Sequence, residues 1–430
     1  MNREIAERIN IIKRGKVPKE YKKSQVGLIP MEWKEIKLAK INNISTGLTP
    51  LRSKNQYFNG NIYWVKTTDL NNSYIYDTEE KVTNIALIET SLKYVEKNSI
   101  LIAMYGGFNQ IGRTGLMKVR GTTNQAISSF YIDEKEFNSE FILHWLNFNR
   151  GYWKRLASSS RKDPNITKKD VEDFLIVKLP YLEQKKIANI ISNWDKAIEV
   201  KKKLVQEKQK QKKGLIQRLL TGKVRLKGFS EEWKEVKLSK IFDRVTRKNS
   251  VGNSNVLTIS AQQGLINQKN FFNKLVASNM LDNYYLLNKG EFAYNKSYSN
   301  GYPMGAIKRL NNYESGVVTT LYICFKLKDK FEKSSDFFEQ YFESGLMNKG
   351  LTQIAYEGGR AHGLLNVSPN DFFNLKVSIP SIEEQVEIAN ILKTCDNEII
   401  LLQKEIEALK QQKKGLMQLL LTGIVRVKCD

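Results

Sequence analysis

The stretch EWKEIKL, Glu32 to Leu38, returns 200 positions later as EWKEVKL, Glu232 to Leu238, with only Ile36 and Val236 differing. QKKIANII from Gln184 has a partner in QVEIANIL from Gln385, and KKGLIQRLLTGKVR from Lys212 has one in KKGLMQLLLTGIVR from Lys413, each displaced by 201. The chain is therefore two half-copies. Each half opens with EWKE(I/V)KL, passes through an aromatic, Asn-rich and Gly-rich interior to a proline (Pro180, Pro380), and ends in a long Lys- and Gln-rich segment. The two interiors hardly resemble each other, so one scaffold is used twice and its contents differ.

The long segments predict helices. Alternating steps of four and three from Ile388 give Leu392, Cys395, Ile399, Leu402, Ile406, Leu409, Lys413, Leu416 and Leu420, an almost unbroken coiled-coil seam. In the first copy Ile187, Ile191, Trp194, Ile198, Val205, Leu215 and Leu219 keep the seam, while Lys201, Lys208 and Lys212 interrupt it. Each segment follows a proline, carries a carboxylate in its first turn (Glu183; Glu383 and Glu384) and stops at a TG pair (Gly222, Gly423), as helix punctuation requires. The two rods, each about 55 Å long at 1.5 Å per residue, are expected to lie antiparallel, because the intervening domain must bring the chain back. The lysines from Lys201 to Lys213 read either as a solvated helix face or as phosphate contacts.

Each interior predicts a mixed α/β domain. In the first, NIYWVKT, NSILIAMYGG and AISSFYI are strand-like, an amphipathic helix runs near Phe137 to Leu156, and FLIVKLP is the last strand. In the second, EFAYNKSY and GVVTTLYICFKL are strands, Ser335 to Ile354 is the helix, and LKVSIP leads out. The loops between are rich in Asn, Gln, Lys, Arg and Gly: KTTDLNNS, GGFNQIGRTG, TTNQ and SSSRKDPN in the first, NKSYSNGYPMG and EGGRAHGLLN in the second. Amides and guanidinium groups pair with base edges, and glycine lets backbone approach phosphate.

Composition points the same way. The 430 residues carry 69 Lys plus Arg against 45 Asp plus Glu, a formal charge of +24, so a polyanion is the expected partner. A membrane surface is the competing polyanion, but no apolar run reaches transmembrane length and MNREIAERINIIKRG lacks the apolar region of a signal peptide, so a cytoplasmic protein is expected. The three cysteines, Cys324, Cys395 and Cys429, fit no metal or disulfide spacing.

Catalytic motifs are weak. GFNQIGRT, Gly107 to Thr114, nearly spells a phosphate-binding P-loop, but Arg113 stands where lysine should, and GLMKV after it reads as a strand rather than the required helix. Two histidines, His144 and His362, exclude HExxH and most histidine-based metal or triad sites. His144, on the amphipathic helix, reads as structural. Glu35-Ile-Lys37 and Glu235-Val-Lys237 could end a nuclease ExK motif, but their repetition at both domain openings suggests a scaffold strand. No (N/D)PP(Y/F) or FxGxG pattern of an amino-methyltransferase is present.

TGLTP at Thr46, WVKTTDL at Trp64, TNQA at Thr123, YNKSY at Tyr294, GYPMGAI at Gly301 and above all the duplicated QxxIANI and KKGLxQxLLTG resemble the specificity subunit of type I restriction-modification systems, over essentially the whole chain. The resemblance implies an α+β chain: two mixed α/β target-recognition domains in pseudo-two-fold arrangement, separated by two long antiparallel coiled-coil helices. The expected divisions are an N-terminal extension at 1–30 that lies near a helix end, domains at 31–180 and 226–380, and helices at 181–225 and 381–430. RINIIKRGKVPKEY supports the first of these, since Ile12, Gly15 and Val17 match Leu219, Gly222 and Val224.

The resemblance further implies that the chain has no active site, reads an asymmetric bipartite site in double-stranded DNA, docks two methyltransferase subunits and is joined by endonuclease motor subunits. No cofactor is expected on this chain; S-adenosylmethionine, ATP and Mg belong to the partners. A self-contained nuclease and a coiled-coil spacer are the alternatives. The expected DNA-binding residues are Lys66, Thr67, Asn109, Gln110, Arg113, Asn124 and Lys162 in the first domain, and Lys296, Tyr298, Asn300, Arg360 and His362 in the second. Which of them meet bases and which meet phosphates stays open.

Overall fold

In the computed structural model, which describes residues 3–158, 165–269, 281–355 and 365–427, both copies of the repeated heptapeptide form strands. Lys34–Lys37 pairs antiparallel with Leu175–Lys178, and Lys234–Lys237 with Lys376–Ile379. The opening strand of each half thus pairs with that half's last strand, and Glu35 and Lys37 serve this frame: Glu35 accepts from the backbone of Gln25 and Lys37 meets Asp173. The chain divides into two compact units, Met1–Lys201 with Glu405–Asp430, and Lys202–Lys404. Each unit therefore contains one mixed α/β interior, part of its own long helix and part of the other.

In the first unit a five-stranded sheet runs in the order Ser45–Thr46, Ile127–Tyr131, Ser99–Ala103, Thr114–Met117, Ser73–Ile75, with only the last pair parallel. Two of its three inner strands, SILIA and TGLM, are buried throughout. A second sheet joins Thr122–Thr123, Phe58–Val65 and Lys81–Val82. The helix expected near Phe137 to Leu156 is two helices, Ser139–Phe148 and Arg150–Ser158. The first is capped by the Asn138 side chain, which accepts from Phe141 N, and Asn149 ends it by donating back to Trp145 O.

The second unit is built differently. Its largest sheet is wholly antiparallel, Phe242–Arg244, Ile323–Leu327, Phe292–Asn295, Ala306–Arg309, and its core stacks phenylalanines: Phe242, Phe292, Phe325, Phe338 and Phe342 pack ring against ring. The run GVVTTLYICFKL, which reads as one strand, is two. Ser315–Val318 pairs with Tyr285–Asn288, and Ile323–Leu327 crosses into the main sheet. The expected helix Ser335 to Ile354 likewise breaks into Ser335–Glu343 and Asn348–Ile354.

The long helices are Tyr181–Leu219 and Ile382–Leu421. All ten seam positions counted from Ile388 are buried or half-buried, and so are the matching positions from Ile187. The three interrupting lysines belong to the seam too. Within the first unit Lys201 pairs with Glu405 at 2.6 Å and Lys413 with Asp195 at 2.5 Å. Within the second, Lys208 pairs with Glu398 at 2.7 Å and Lys212 with Asp396 at 2.6 Å. In both units residue numbers rise on one helix as they fall on the other, so the segments are antiparallel. These lysines lay their methylene stems along the seam and carry their charge to a carboxylate at its edge. Among the described residues, no helix is long and apolar enough to cross a membrane.

Candidate nucleic-acid interface

Four polar loops of the first unit are tied together by hydrogen bonds. Leu48 N in TGLTP donates to Thr123 O in TNQA at 3.0 Å, and Asn124 N donates to Val65 O in WVKTTDL at 2.9 Å. Thr67 Oγ1 then donates to Gln110 Oε1 at 2.7 Å, joining WVKTTDL to GGFNQIGRTG. Asn124 Oδ1 accepts from Ala126 N and turns its own loop. Gly112 is required where it stands: at φ +68 a Cβ would lie 2.5 Å from the ring of Trp153, which is fully buried. The next residues, Thr114–Met117, form a strand, so no helix N-terminus faces a phosphate as a P-loop demands.

The cations of this site are unequal. Lys66 is mostly buried, and its ammonium meets Glu80 at 2.6 Å and Glu79 at 2.9 Å. Burial disfavours its charge, but the two carboxylates outweigh that and raise its pKa. Arg113 instead donates through Nε to the backbone oxygen of Asn109 at 2.9 Å. Arg150, which sequence reasoning missed, donates through Nη2 to that same oxygen at 2.8 Å. No local signal marked it, because the turn at Asn149 that delivers it to the loop lies inside a continuous apolar periodicity.

In the second unit Lys296 is half-buried, reaches Val367 O at 3.4 Å, and has its pKa lowered by that burial. Tyr298 is 64% exposed, and Asn300 is exposed beside it in the turn that Ser299 and Tyr302 close. The other cations here are largely committed: Arg309 to Asp336 and Glu339, Lys308 to Glu343. Lys162, Arg360 and His362 lie outside the described residues.

His144 is buried on the helix face that meets Tyr181–Leu219. Its Nε2 lies 3.0 Å from Ser192 Oγ, and that hydroxyl also donates to Glu140 Oε2 at 3.0 Å. The residue types are those of a hydrolytic triad and the order is wrong: the carboxylate meets the hydroxyl, not the far imidazole nitrogen. Tyr74 and Lys118 complete the cluster. Burial pushes the His144 pKa down to about 4, aided by the charge of Lys413 and opposed by Asp195 and Glu140. The cluster joins helix to sheet.

The frame around both interiors recurs atom for atom in places. Arg426 forks onto Glu183 in the first unit, and Arg225 onto Glu384 in the second. Gly423 packs against Pro30 and Trp33, and Gly222 against Trp233. The N-terminal segment joins the first of these junctions, with Tyr21 OH donating to Gly423 O at 2.5 Å and Arg8 Nη1 to Ile424 O at 2.7 Å.

Comparison with known proteins matches this duplicated architecture. Residues 30–208 and 230–411 each match the type I restriction modification DNA specificity domain. The specificity subunit of type I restriction enzyme MjaIX from Methanocaldococcus jannaschii is 31% identical over 192 residues, 43% of either chain. That of MjaVIII from the same organism is 26% identical over 427 residues, covering 93% of this chain and 94% of its own. A type I restriction-modification S subunit from M. genitalium shares the fold with a TM-score of 0.54 at 14% identity, over 93% of this chain and 97% of that one. A structure from a study of type I R-M complex assembly and conformational transition gives 0.55 at 16% identity, over 92% and 99%. With two copies of the domain model spanning most of its length, the chain belongs to the type I restriction-modification DNA specificity family and is a specificity subunit, not a catalytic one.

Proposed function

We propose that this chain reads an asymmetric bipartite site in duplex DNA, each interior reading one half, and that it docks two methyltransferase subunits and is joined by endonuclease motor subunits. The observation that carries the reading is the knitting of TGLTP, WVKTTDL, GGFNQIGRTG and TNQA into one polar surface on a frame whose other copy holds an unlike interior. Asn109, Gln110 and Asn124 form the reading surface of the first unit, with Arg113 beside it as a phosphate contact and Lys66 and the buried Thr67 supporting it from beneath; Lys296, Tyr298 and Asn300 belong to that of the second. Lys162, Arg360 and His362, which lie outside the described residues, are assigned from the loop sequences alone. Like frames with unlike contents suit two different half-sites, because phosphate contacts position a protein while base contacts specify. For docking, repeat-equivalent apolar side chains are exposed on the helices: Val200 at 65% in one unit and Leu401 at 59% in the other.

Methylation mapping in cells carrying the chain with its methyltransferase tests this. A site with two unlike halves is expected, and exchanging residues 239–375 for those of a relative should change one half alone. A single undivided sequence would overturn the reading. Native mass spectrometry of the co-expressed complex should show two methyltransferase copies; a one-to-one complex as the only species would refute the docking.

A further inference from the structure

Two guanidinium groups of the first unit meet at one backbone oxygen, that of Asn109. Arg113 comes to it from the glycine-rich loop and Arg150 from the first turn of helix Arg150–Ser158. Among the described residues no carboxylate pairs with either. Other arginines that are largely withdrawn from water are neutralised: Arg426 by Glu183 and Glu32, Arg309 by Asp336 and Glu339. Arg150 Nε is buried with no hydrogen-bond partner among the described residues. Two like charges held on one carbonyl repel, and an anion that accepts from both forks removes the repulsion.

Beside the pair the backbone is bare at Gly107, where nothing lies within 4 Å of the side-chain position, and Tyr105 and Phe108 are 43% and 48% exposed. Bare backbone and aromatic faces next to an unneutralised arginine pair suit a polymer that carries both phosphates and bases. We propose that Arg113 and Arg150 form a clamp for one backbone phosphate of the DNA, so that Arg113 sets register and orientation while its neighbours read sequence. The clamp rests on the DNA-reading function proposed above. Burial and the neighbouring Arg113 charge both lower the Arg150 pKa, the state that a bound anion relieves.

The test uses the full chain, a random-sequence duplex and a duplex that the wild-type chain selects from a randomised pool. In the Arg113→Gln, Arg150→Gln double variant, the slope of log affinity against log salt should fall by about 0.9. Affinity should therefore change about 3.5-fold less between 50 and 200 mM salt, with an unchanged preference for the selected duplex. An unchanged slope, or a lost preference, overturns the clamp. Arginine-selective modification of the wild-type chain, read by peptide mass spectrometry, needs no variant to fold. Random duplex should protect Arg113 and Arg150 together; no protection, or equal protection by inorganic phosphate at matched phosphate concentration, overturns the DNA clamp. A wild-type chain that shows no preference between the duplexes overturns the reading function and the clamp with it. A preference that stands with an unchanged slope overturns the clamp alone.

Discussion

Arg426 and Arg225 each close a fork on a glutamate whose side chain is only 2% exposed, Glu183 in one unit and Glu384 in the other. Gln184 and Gln385, one residue further on, are both buried. Gln184 donates to Glu136 O and Leu179 O and accepts from Asn138 N, whereas Gln385 donates to Pro380 O and its Oε1 finds no partner among the described residues. Two residues beyond the QxxIANI motifs the units part company. Ser192 joins the buried His144 cluster, while its repeat-equivalent Lys393 pairs with Asp336, which also holds Arg309. Then the copies agree again, Asp195 on Lys413 and Asp396 on Lys212. The Asp–Lys pairs between the helices and the Arg–Glu forks at the helix ends keep their identity, whereas Lys201–Glu405 and Lys208–Glu398 have apolar residues at the equivalent positions of the other copy, and Ser192 and Lys393 have changed with the interior they face. A scaffold can hold different contents only where its internal contacts do not depend on them.

The comparison breaks most readily at the forks. Arg426→Ala and Arg225→Ala each strand a buried carboxylate, and each should lower the chemical-denaturation midpoint more than any other change named here. Shifts that differ widely between the two would mean that the junctions are equivalent in sequence only.

Protonation separates the units next. His144 has a folded pKa of about 4 against about 6.5 unfolded, so it folds neutral. Its contribution is fully present above the unfolded value and is lost as pH falls from about 6.5 toward 4, by up to about 3 kcal/mol. The described residues of the second unit contain no histidine. Urea midpoints between pH 7 and 4 should therefore fall more steeply for the wild-type chain than for His144→Gln. Parallel curves would show that His144 does not titrate as its burial requires.

The smallest expected difference lies at the helix-end glycines. Gly423 and Gly222 share left-handed φ values of +70 and +67, so alanine at either should cost about 1 kcal/mol. At Gly423 the new Cβ would also lie 2.5 Å from Pro30, against 3.3 Å from Trp233 at Gly222. Gly423→Ala should thus shift the denaturation midpoint further than Gly222→Ala, and equal shifts would refute the tighter contact.

Much of this was legible beforehand. Repeated sequence under repeated constraint announced the strands at Glu32 and Glu232, the long helices and their seam, because periodicity and helix punctuation are local properties. The division of GVVTTLYICFKL between two sheets was not legible, since nothing local distinguishes Val318 from Ile323 and only the available partner strands decide. The break at Asn149 was hidden too, because apolar periodicity continues across it to Trp153.

At the candidate site the loops were legible and the state of their charges was not. Lys66 and Arg113 look alike on paper; one sits between two carboxylates and the other beside a second arginine. The lysines at 201, 208 and 212, apparent faults in the seam, become ion pairs only when the opposite helix arrives.

By itself the sequence determined that a frame is used twice, that the frame is helical and stranded in known places, and that the chain is basic enough to seek a polyanion. All three follow from residue identity and spacing, which do not change on folding. The tertiary structure alone decided which cations are spent on the protein's own carboxylates and which remain for a partner. Pairing and desolvation act over a few ångströms between residues as far apart as Glu183 and Arg426, or Arg113 and Arg150, and no local pattern encodes those distances.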